Sequence, residues 1–162
     1  MAQEQLPGAA DVSPLQRRVV EIGLAGSFVS VLTEELGEER ALDILNKVVE
    51  REAHSAAKAF RQRFPEPTLA SLYEVWKILG GDGRLDMELE ELNENTLRFH
   101  VNGCRYAERY RALGLEKLGV AFSCRRDEPF ARALIPGIRM KQSQTIMEGS
   151  PKCCFEYTWE EA

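Results

Sequence analysis

The sequence predicts an α+β fold in which N-terminal helices pack on an antiparallel sheet of about four strands. Through the first half of the chain, up to about residue 80, apolar residues recur with the helical period. From residue 85 onward apolar and polar residues alternate, which is typical of strands with one buried face. The strands come as two hairpins with short helices between them, so neighbouring strands are expected to run antiparallel.

Size and composition are those of an ordinary globular protein. The 162 residues fit a single domain, and 44% apolar and 29% charged residues are usual proportions. We expect a poorly ordered tail at 1–12, a helical half at 13–80 and a sheet-containing half at 84–160. The net charge of −5 is spread over interspersed acids and bases, which argues against a nucleic-acid partner and against a polybasic membrane contact.

The chain shows neither a secretory leader nor a membrane span. It has no basic segment followed by an apolar run near the N-terminus, and no run of about 18 apolar residues. The sequence therefore predicts a cytoplasmic protein. We also expect its partner to be a small molecule. In that compartment its four cysteines are expected to be free thiols rather than a disulfide framework.

The first helix is predicted from a serine–proline pair at 13–14 to about Leu36, where Gly37 ends it. Gly23 and Gly26 are small enough to admit a close neighbour. This helix could therefore support a homodimer or pack against another helix of the same chain. Its apolar positions are Leu15, Val19, Ile22, Phe28, Val29 and Leu32.

Two further helices are predicted at about 38–64 and 68–79. On the helical wheel of the first of these, Glu52 falls within the apolar stripe, two turns after Leu45, whereas His54 points to the opposite side. A carboxylate buried in such a stripe must be paired or carry a raised pKa, although a position near the helix end would leave it partly solvated. The stripe comprises Ala41, Leu45, Val48, Val49, Ala56 and Phe60.

The first hairpin is predicted over 85–101, where apolar residues alternate with charged ones on both sides of a turn at 93–95. Arg98 and His100 share the face opposite the apolar one. That face is either solvated or the polar floor of a ligand site.

The remainder of the chain is predicted to combine short helices with a second hairpin. That hairpin joins strands at 138–148 and 153–159. The helices are expected at 104–113, 115–122 and 127–134.

The cysteines are the most reactive side chains of this part of the chain. Cys104 lies where a strand ends and a helix begins, and a helix N-terminus lowers the pKa of a thiol. Arg105 and Arg109 would add to that effect. Cys124 lies close to another helix start, at which Asp127 is a plausible N-cap. The alternative for each cysteine is a small apolar residue that fills the core.

Two adjacent cysteines lie on the last predicted strand and face opposite sides of it. Cys153 shares its face with aromatic residues, and Cys154 shares its face with polar ones. No C-x-x-C pair occurs, so a structural zinc site of the usual spacing is not predicted.

Five ordered blocks between about 98 and 158 are similar to those of the L-2-amino-thiazoline-4-carboxylic acid hydrolase family. The family blocks are C-x-Y-A, G-L-x-x-L-G, C-x-x-D, Q-T-x-x-x-G and C-D-F, and the last departs here because Cys154 stands at the aspartate. A more distant resemblance is to ligand-binding domains of the 4-vinyl reductase type, many of which sense rather than catalyse. The matching residues are Cys104-Arg105-Tyr106-Ala107, Gly114-Leu115-Glu116-Lys117-Leu118-Gly119, Cys124-Arg125-Arg126-Asp127, Gln144-Thr145-Ile146-Met147-Glu148-Gly149 and Cys153-Cys154-Phe155.

The resemblance implies a hydrolase that opens a small cyclic amidine: water adds at the amidine carbon and the C–S bond breaks, giving an N-carbamoyl cysteine. Such a reaction needs a nucleophile or activated water, a proton donor and a cation for the substrate carboxylate. Cys104 would be the nucleophile or a metal ligand, and Asp127 the acid/base or an orienting group. Arg105 or Arg109 would bind the carboxylate. The further residues are Cys124 and Cys153 for catalysis, and Tyr106, His100 and Glu52 for substrate binding.

Three alternatives remain open from the residues alone. Cys104, Cys124 and Cys153 could bind a divalent metal as thiolates and activate a water, in place of a cofactor-free covalent mechanism. The chain could instead be a non-catalytic sensor of small molecules, or a metal or redox site without hydrolysis. Every catalytic alternative requires these three sulfur atoms to come together in the folded chain.

Overall fold

The predicted α+β fold is confirmed by a computed structural model, which describes residues 13–159. Within this range no helix combines the length and apolar character needed to cross a bilayer. The elements are α1 (Pro14–Leu36), α2 (Glu38–Arg63), α3 (Leu69–Gly80), β1 (Leu85–Leu92), β2 (Thr96–Cys104), α4 (Arg105–Ala112), α5 (Glu116–Phe122), α6 (Asp127–Leu134), β3 (Arg139–Gln142) and β4 (Cys153–Thr158).

The strands form one antiparallel sheet in the order β1–β2–β4–β3. Its two central strands pair from Thr96 opposite Thr158 to Val101 opposite Cys153. The outward face of these strands carries charged residues, so the sheet has one face on the core and one toward solvent. The buried face is made of Leu97, Phe99, Val101, Cys153, Phe155 and Tyr157.

An aromatic layer joins this buried face to α3. Phe99 and Phe155 stack with their ring centroids 4.8 Å apart. Trp76 of α3 lies 4.8 Å from Phe155 and 5.3 Å from Phe99. Burying a side chain of this size contributes roughly 1.5–3 kcal/mol. The layer therefore anchors β4, whose first residue is Cys153.

Hydroxyl side chains cap the starts of α1 and α3. The hydroxyl of Ser13 accepts the N–H of Gln16 at the start of α1, as the serine–proline pair predicts. Thr68 accepts the N–H of Ser71 in the same way at the start of α3. Gly37 has a φ of 82°, a conformation open to glycine, and there the chain turns directly from α1 into α2.

A buried arginine completes the end of α3. Arg84 is 6% exposed, and its guanidinium donates to the carbonyls of Leu79 and Ile78, each at 3.0 Å. These bonds satisfy carbonyls that the helix end leaves without an N–H partner. A positive charge is also favourable at the negative end of the helix dipole. No sequence pattern predicts this role for Arg84.

The buried stripe of α2 differs from the predicted one. Glu52 is exposed, so the prediction that it lies within the apolar stripe is wrong. The buried positions are spaced by four residues, whereas one helical turn takes 3.6. A row with this spacing therefore winds gradually around the helix, and Glu52 is left on the side toward solvent. His54 is exposed, as predicted, and Val48 is 45% exposed. The buried stripe is Ala41, Leu45, Val49, Ala53 and Ala57.

The third strand is shorter than predicted. It ends at Gln142, and the Ile146–Glu148 segment forms a 3₁₀ turn instead of continuing the strand. The hydroxyl of Thr145 accepts the N–H of Glu148 at 3.2 Å and donates to its carboxylate at 2.7 Å. Such local bonds compete with strand pairing. The second hairpin therefore has a longer connection than the sequence predicts.

Candidate functional site

Four ionisable side chains from separate stretches lie close enough to perturb one another. They are Cys104, Cys124, Asp127 and Cys153, and the carboxylate of Asp127 raises the pKa of each of the three thiols. Cys153 and Cys104 also raise the pKa of Cys124. The three cysteine positions on which the sequence argument depends thus lie within electrostatic reach of Asp127 and of one another. We call these four residues the thiol cluster.

Cys104 is the N-cap of α4. Its Sγ accepts the N–H of Ala107 at 3.4 Å, so the predicted helix start is confirmed. The pKa of Cys104 is nevertheless raised, because burial outweighs the lowering by the N–H groups of Ala107 and Tyr106. The prediction of a lowered pKa for this thiol is therefore wrong.

The other two thiols of the cluster are also neutral at rest. Cys153 is buried, and its Sγ accepts the N–H of Ile146 at 3.2 Å. Burial raises its pKa to about 11, and the charges of Cys104 and Asp127 add to the rise. Burial, followed by Asp127, raises the pKa of Cys124 still further. None of these thiols is a ready-made thiolate near pH 7.

Asp127 carries the acid/base capacity of the cluster. The 3₁₀ turn Cys124–Arg126 runs straight into α6, so Asp127 is the first helical residue, and its prediction as an N-cap is wrong. Burial raises the pKa of Asp127 to about 8, against the lowering by Arg126 and Arg18. A carboxyl group with this pKa can both give and take a proton near neutral pH.

Two arginines that the sequence did not point to act on the cluster. Arg126 is half-buried, and its Nε has no hydrogen-bond partner among the described residues. Burial, followed by the charge of Arg18, lowers its pKa. Arg18 of α1 lies 5.8 Å from the centroid of the Phe122 ring and pairs with Glu21 at 3.2 Å. Both guanidinium groups favour an anion beside the cluster.

The arginines predicted to bind a carboxylate lie elsewhere on the surface. Arg105 and Arg109 of α4 are both exposed. The cations that lower the pKa of Asp127 are Arg126 and Arg18. Arg126 lies in the C-x-x-D block, and Arg18 lies in the first turns of α1. Their action on Asp127 depends on how α1 packs, which the sequence does not show.

Two tyrosines border the cluster. Tyr106 is half-buried and donates its hydroxyl to the carbonyl of Leu79 at 3.4 Å. Burial raises its pKa, against the charges of Arg84 and Arg18. Tyr157 is fully buried, and burial followed by the charge of Asp127 raises its pKa.

The hydroxyl of Tyr157 is an uncommitted donor in this region. The indole of Trp76 is near enough to oppose the rise in its pKa, but not in hydrogen-bond geometry. The hydroxyl therefore has no hydrogen-bond partner within residues 13–159. The alternation of apolar and polar residues correctly places Tyr157 on the core face. It does not predict that the buried hydroxyl lacks a hydrogen-bond partner.

His100 and Cys154 lie on the other face of the sheet. They are direct cross-strand neighbours, on the side opposite Cys153. His100 Nε2 lies 3.2 Å from the carboxylate of Glu90, and Cys154 Sγ accepts the side-chain N–H of Gln144 at 3.0 Å. The sheet therefore separates His100 from the thiol cluster, and its substrate-binding role stays a prediction.

Cys124 connects the cluster to the surface. It lines a groove of about 610 Å³ bounded by α2, α6 and β3. Glu50, Glu128 and Arg132 give the groove a charged rim, and Met140 forms part of its wall. A small ligand in this groove would meet the thiol of Cys124, whereas Cys104, Cys153 and Asp127 do not line it.

The cysteines do not fit the metal alternative as they stand. Among residues 13–159, no set of three or more histidine, cysteine, aspartate or glutamate side chains has an arrangement that could hold a metal ion. Two of the three sulfur atoms, those of Cys104 and Cys153, accept backbone N–H groups.

Comparison with known proteins identifies the family and a structure of similar fold. The family model described as L-2-amino-thiazoline-4-carboxylic acid hydrolase matches residues 17–157. A similar solved structure is the phenol-responsive sensory domain of the transcription activator PoxR with phenol: 14% identical, TM-score 0.53, with 82% of this chain and 71% of that chain covered. No curated protein matches the chain. At this identity the PoxR likeness shows the fold alone.

Proposed function

Because the chain belongs to the L-2-amino-thiazoline-4-carboxylic acid hydrolase family, we propose that it hydrolyses a small cyclic amidine related to that compound. In the proposed reaction water adds to the amidine carbon, the ring C–S bond breaks, and the ring sulfur takes a proton. The product is an N-carbamoyl cysteine. The observation that carries the proposal is a carboxyl group with a pKa of about 8 beside three thiols.

Asp127 is the proton-transfer group of this proposal. General acid–base catalysis is most effective when the pKa of the group lies near the working pH, because both protonation states are then populated. As a carboxylate Asp127 accepts a proton from the nucleophile. As an acid it returns that proton to the leaving sulfur. Desolvation gives it this pKa, since a solvated aspartate has a pKa near 3.9 and would be ionised throughout.

Cys104 is the proposed nucleophile, and its raised pKa means that it needs this base. Its Sγ adds to the amidine carbon while its proton passes to Asp127. The ring C–S bond then breaks, and the proton moves from Asp127 to the ring sulfur. Water next attacks the carbon now bound to Cys104. Asp127 takes one proton from that water and passes it to the departing Sγ. The other proton of the water moves from oxygen to the former ring nitrogen as the carbamoyl C=O forms, so the enzyme is regenerated.

A substrate carboxylate would be bound by Arg126 and Arg18. Their positive charges act on Asp127, and the Nε of Arg126 is a buried donor without a partner in the described chain. Arg105 and Arg109 are the alternative pair, and their exposure means that they would bind the carboxylate only at the surface. Charge removal at Arg126 should raise KM more than it lowers kcat, whereas removal at Arg109 should change neither.

The direct test is production of an N-carbamoyl cysteine from the cyclic amidine by purified variants. Asp127→Asn and Cys104→Ser should each lower kcat by about 10²-fold or more. Cys154→Ser is the matched control, because it removes a thiol on the opposite face of the sheet. If Asp127→Asn is inactive and Cys104→Ser fully active, water attacks directly and the thiol role fails. Full activity of both variants would remove the proposed mechanism.

A sensor without turnover is the second candidate. All three thiols and the carboxyl group of the cluster are held mainly neutral near pH 7, which also suits an uncharged ligand. The PoxR domain, which is similar in fold, is described as phenol-responsive. Thermal shift and turnover assays with the same cyclic amidines separate the two functions. A sensor would be stabilised by the ligand without forming product.

A reducing cellular compartment, and hence the cytoplasm, is part of the proposal. All four cysteines are free, and burial keeps the three thiols of the cluster in the thiol form. Cell fractionation, with thiol counting on the isolated protein, tests this. Disulfide-bonded protein in an exported fraction would contradict it.

A further inference from the structure

We propose that the outer face of α1 binds a second copy of this chain, so that two α1 helices pack antiparallel across a two-fold axis. The inner face of α1 packs on α2 and α4 within the chain. The outer face carries four large apolar side chains that no part of the described chain covers. Their exposed fractions are 73% for Val20, 65% for Leu24, 63% for Phe28 and 56% for Val31.

These four residues form one continuous stripe along the helix. They are spaced by three or four positions, which places them on the same side of an α-helix. Phe28, one of the apolar positions predicted for this helix, lies on its outer side, whereas Ile22 faces the core. We call this set of four residues the α1 stripe.

The size of the α1 stripe suits a protein partner. Its side chains expose roughly 400 Å², the size of the largest apolar patch on a typical monomer, and such a patch is often functional. That is about half of the ~800 Å² that each partner contributes to a standard interface.

The charges at the ends of the α1 stripe identify the partner as a second copy. Arg17 precedes the stripe and Glu35 follows it on the same side of the helix. The first turn of α1 has no acidic residue and the last turn has no basic one. Glu35, in the last turn, therefore lies at the negative end of its own helix dipole, where a cation from a second chain would be favourable. An antiparallel copy brings Glu35 of one chain to Arg17 of the other at both ends of the pair.

The stripe is also self-complementary about its midpoint. Arg17 and Glu35 are equally far from Gly26, as are Leu24 and Phe28. A two-fold axis near Gly26 therefore sets Leu24 of each chain against Phe28 of the other, as an isologous interface requires. Beside the stripe, a Cβ added to Gly23 would meet nothing within 4 Å, which leaves room for a second helix to approach.

The test is sedimentation velocity over a concentration series, with circular dichroism as a check of folding. The wild-type chain should be dimeric, and Phe28→Glu should weaken the dimer at least tenfold. Leu24→Glu provides a second variant with the same expected effect. Leu113→Glu is the matched control. Leu113 is also apolar and 49% exposed, but it follows α4 and is not part of the α1 stripe. The Leu113→Glu variant should therefore form the dimer as the wild-type chain does. A monomeric wild-type protein overturns the proposal.

A charge exchange tests the antiparallel arrangement. Arg17→Glu and Glu35→Arg should each weaken the dimer, because each places like charges together at both ends of the pair. The double variant Arg17→Glu/Glu35→Arg should restore it, because opposite charges then meet again. Failure of the double variant to recover, or a dimer that survives Phe28→Glu and Leu24→Glu, means a different interface or a parallel pair and overturns the proposal.

Discussion

Replacing Asp127 by asparagine should change how the stability of the protein depends on pH. The pKa of this carboxyl is about 8 in the folded chain and about 3.9 in an unfolded one. Between these values the folded chain keeps the proton and the unfolded chain has lost it, so the free energy of unfolding falls as pH rises. The full shift of about 4 pH units corresponds to about 6 kcal/mol at about 1.4 kcal/mol per unit. Asp127 is only half-buried, so we expect a loss of roughly 2–5 kcal/mol between about pH 4 and about pH 8.

Urea unfolding of the wild-type protein and Asp127→Asn at several pH values measures this effect. The asparagine does not titrate, so the variant should gain stability relative to wild type steadily from about pH 4 to about pH 8 and stay level above that. Asp43→Asn, at an exposed carboxyl on α2, controls for the loss of one charge. A difference between Asp127→Asn and wild type that does not change with pH would show that this carboxyl is not desolvated, and the reasoning on its catalytic role would fail with it.

Three further predictions concern other features of the chain. The kcat/KM of the wild-type protein should rise with pH through about 8 as Asp127 loses its proton, and a flat profile would contradict its role as base. Gly119→Ala should destabilise by roughly 1–3 kcal/mol, because its Cβ would lie 2.6 Å from Met147 Sδ. Gly23→Ala, whose Cβ meets nothing, should instead stabilise by roughly 0.5–1 kcal/mol, and equal effects of the two in thermal unfolding would refute this packing. Iodoacetamide near neutral pH should label Cys154 before the three thiols of the cluster, because burial keeps those in the neutral form; peptide mass spectrometry that finds one of them labelled first would contradict it.

Local sequence signals predicted most of the elements because they act over a few residues. The cap at Ser13 depends on the N–H of Gln16, three positions away. The first hairpin follows from alternation on both sides of its turn, and β1 and β2 form as expected. The predicted length of the third strand was wrong because of another local interaction. Thr145 makes hydrogen bonds to Glu148, and the pattern of apolar residues does not indicate them.

The chemical properties of the site were harder to predict. The helix start at Cys104 was predicted correctly, and its N–H groups do lower the pKa of the thiol. The net shift has the opposite sign, because burial depends on atoms that arrive from distant parts of the chain. The prediction that Glu52 lies in the buried stripe of α2 was wrong by one position, because the adjacent Ala53 is buried instead. A helical wheel assumes which side of the helix is packed, and only the neighbouring helices determine that.

The sequence by itself determined the fold class, the family and the candidate cysteines, because periodicity, caps and ordered blocks are written along the chain. Only the tertiary structure decided that Arg18 and Arg126 act on Asp127, and that Cys154 lies across the sheet from Cys153. It also decided that α1 keeps an apolar stripe exposed. The physical reason is that desolvation and charge–charge interaction depend on distances in space, which residue spacing along a chain does not contain.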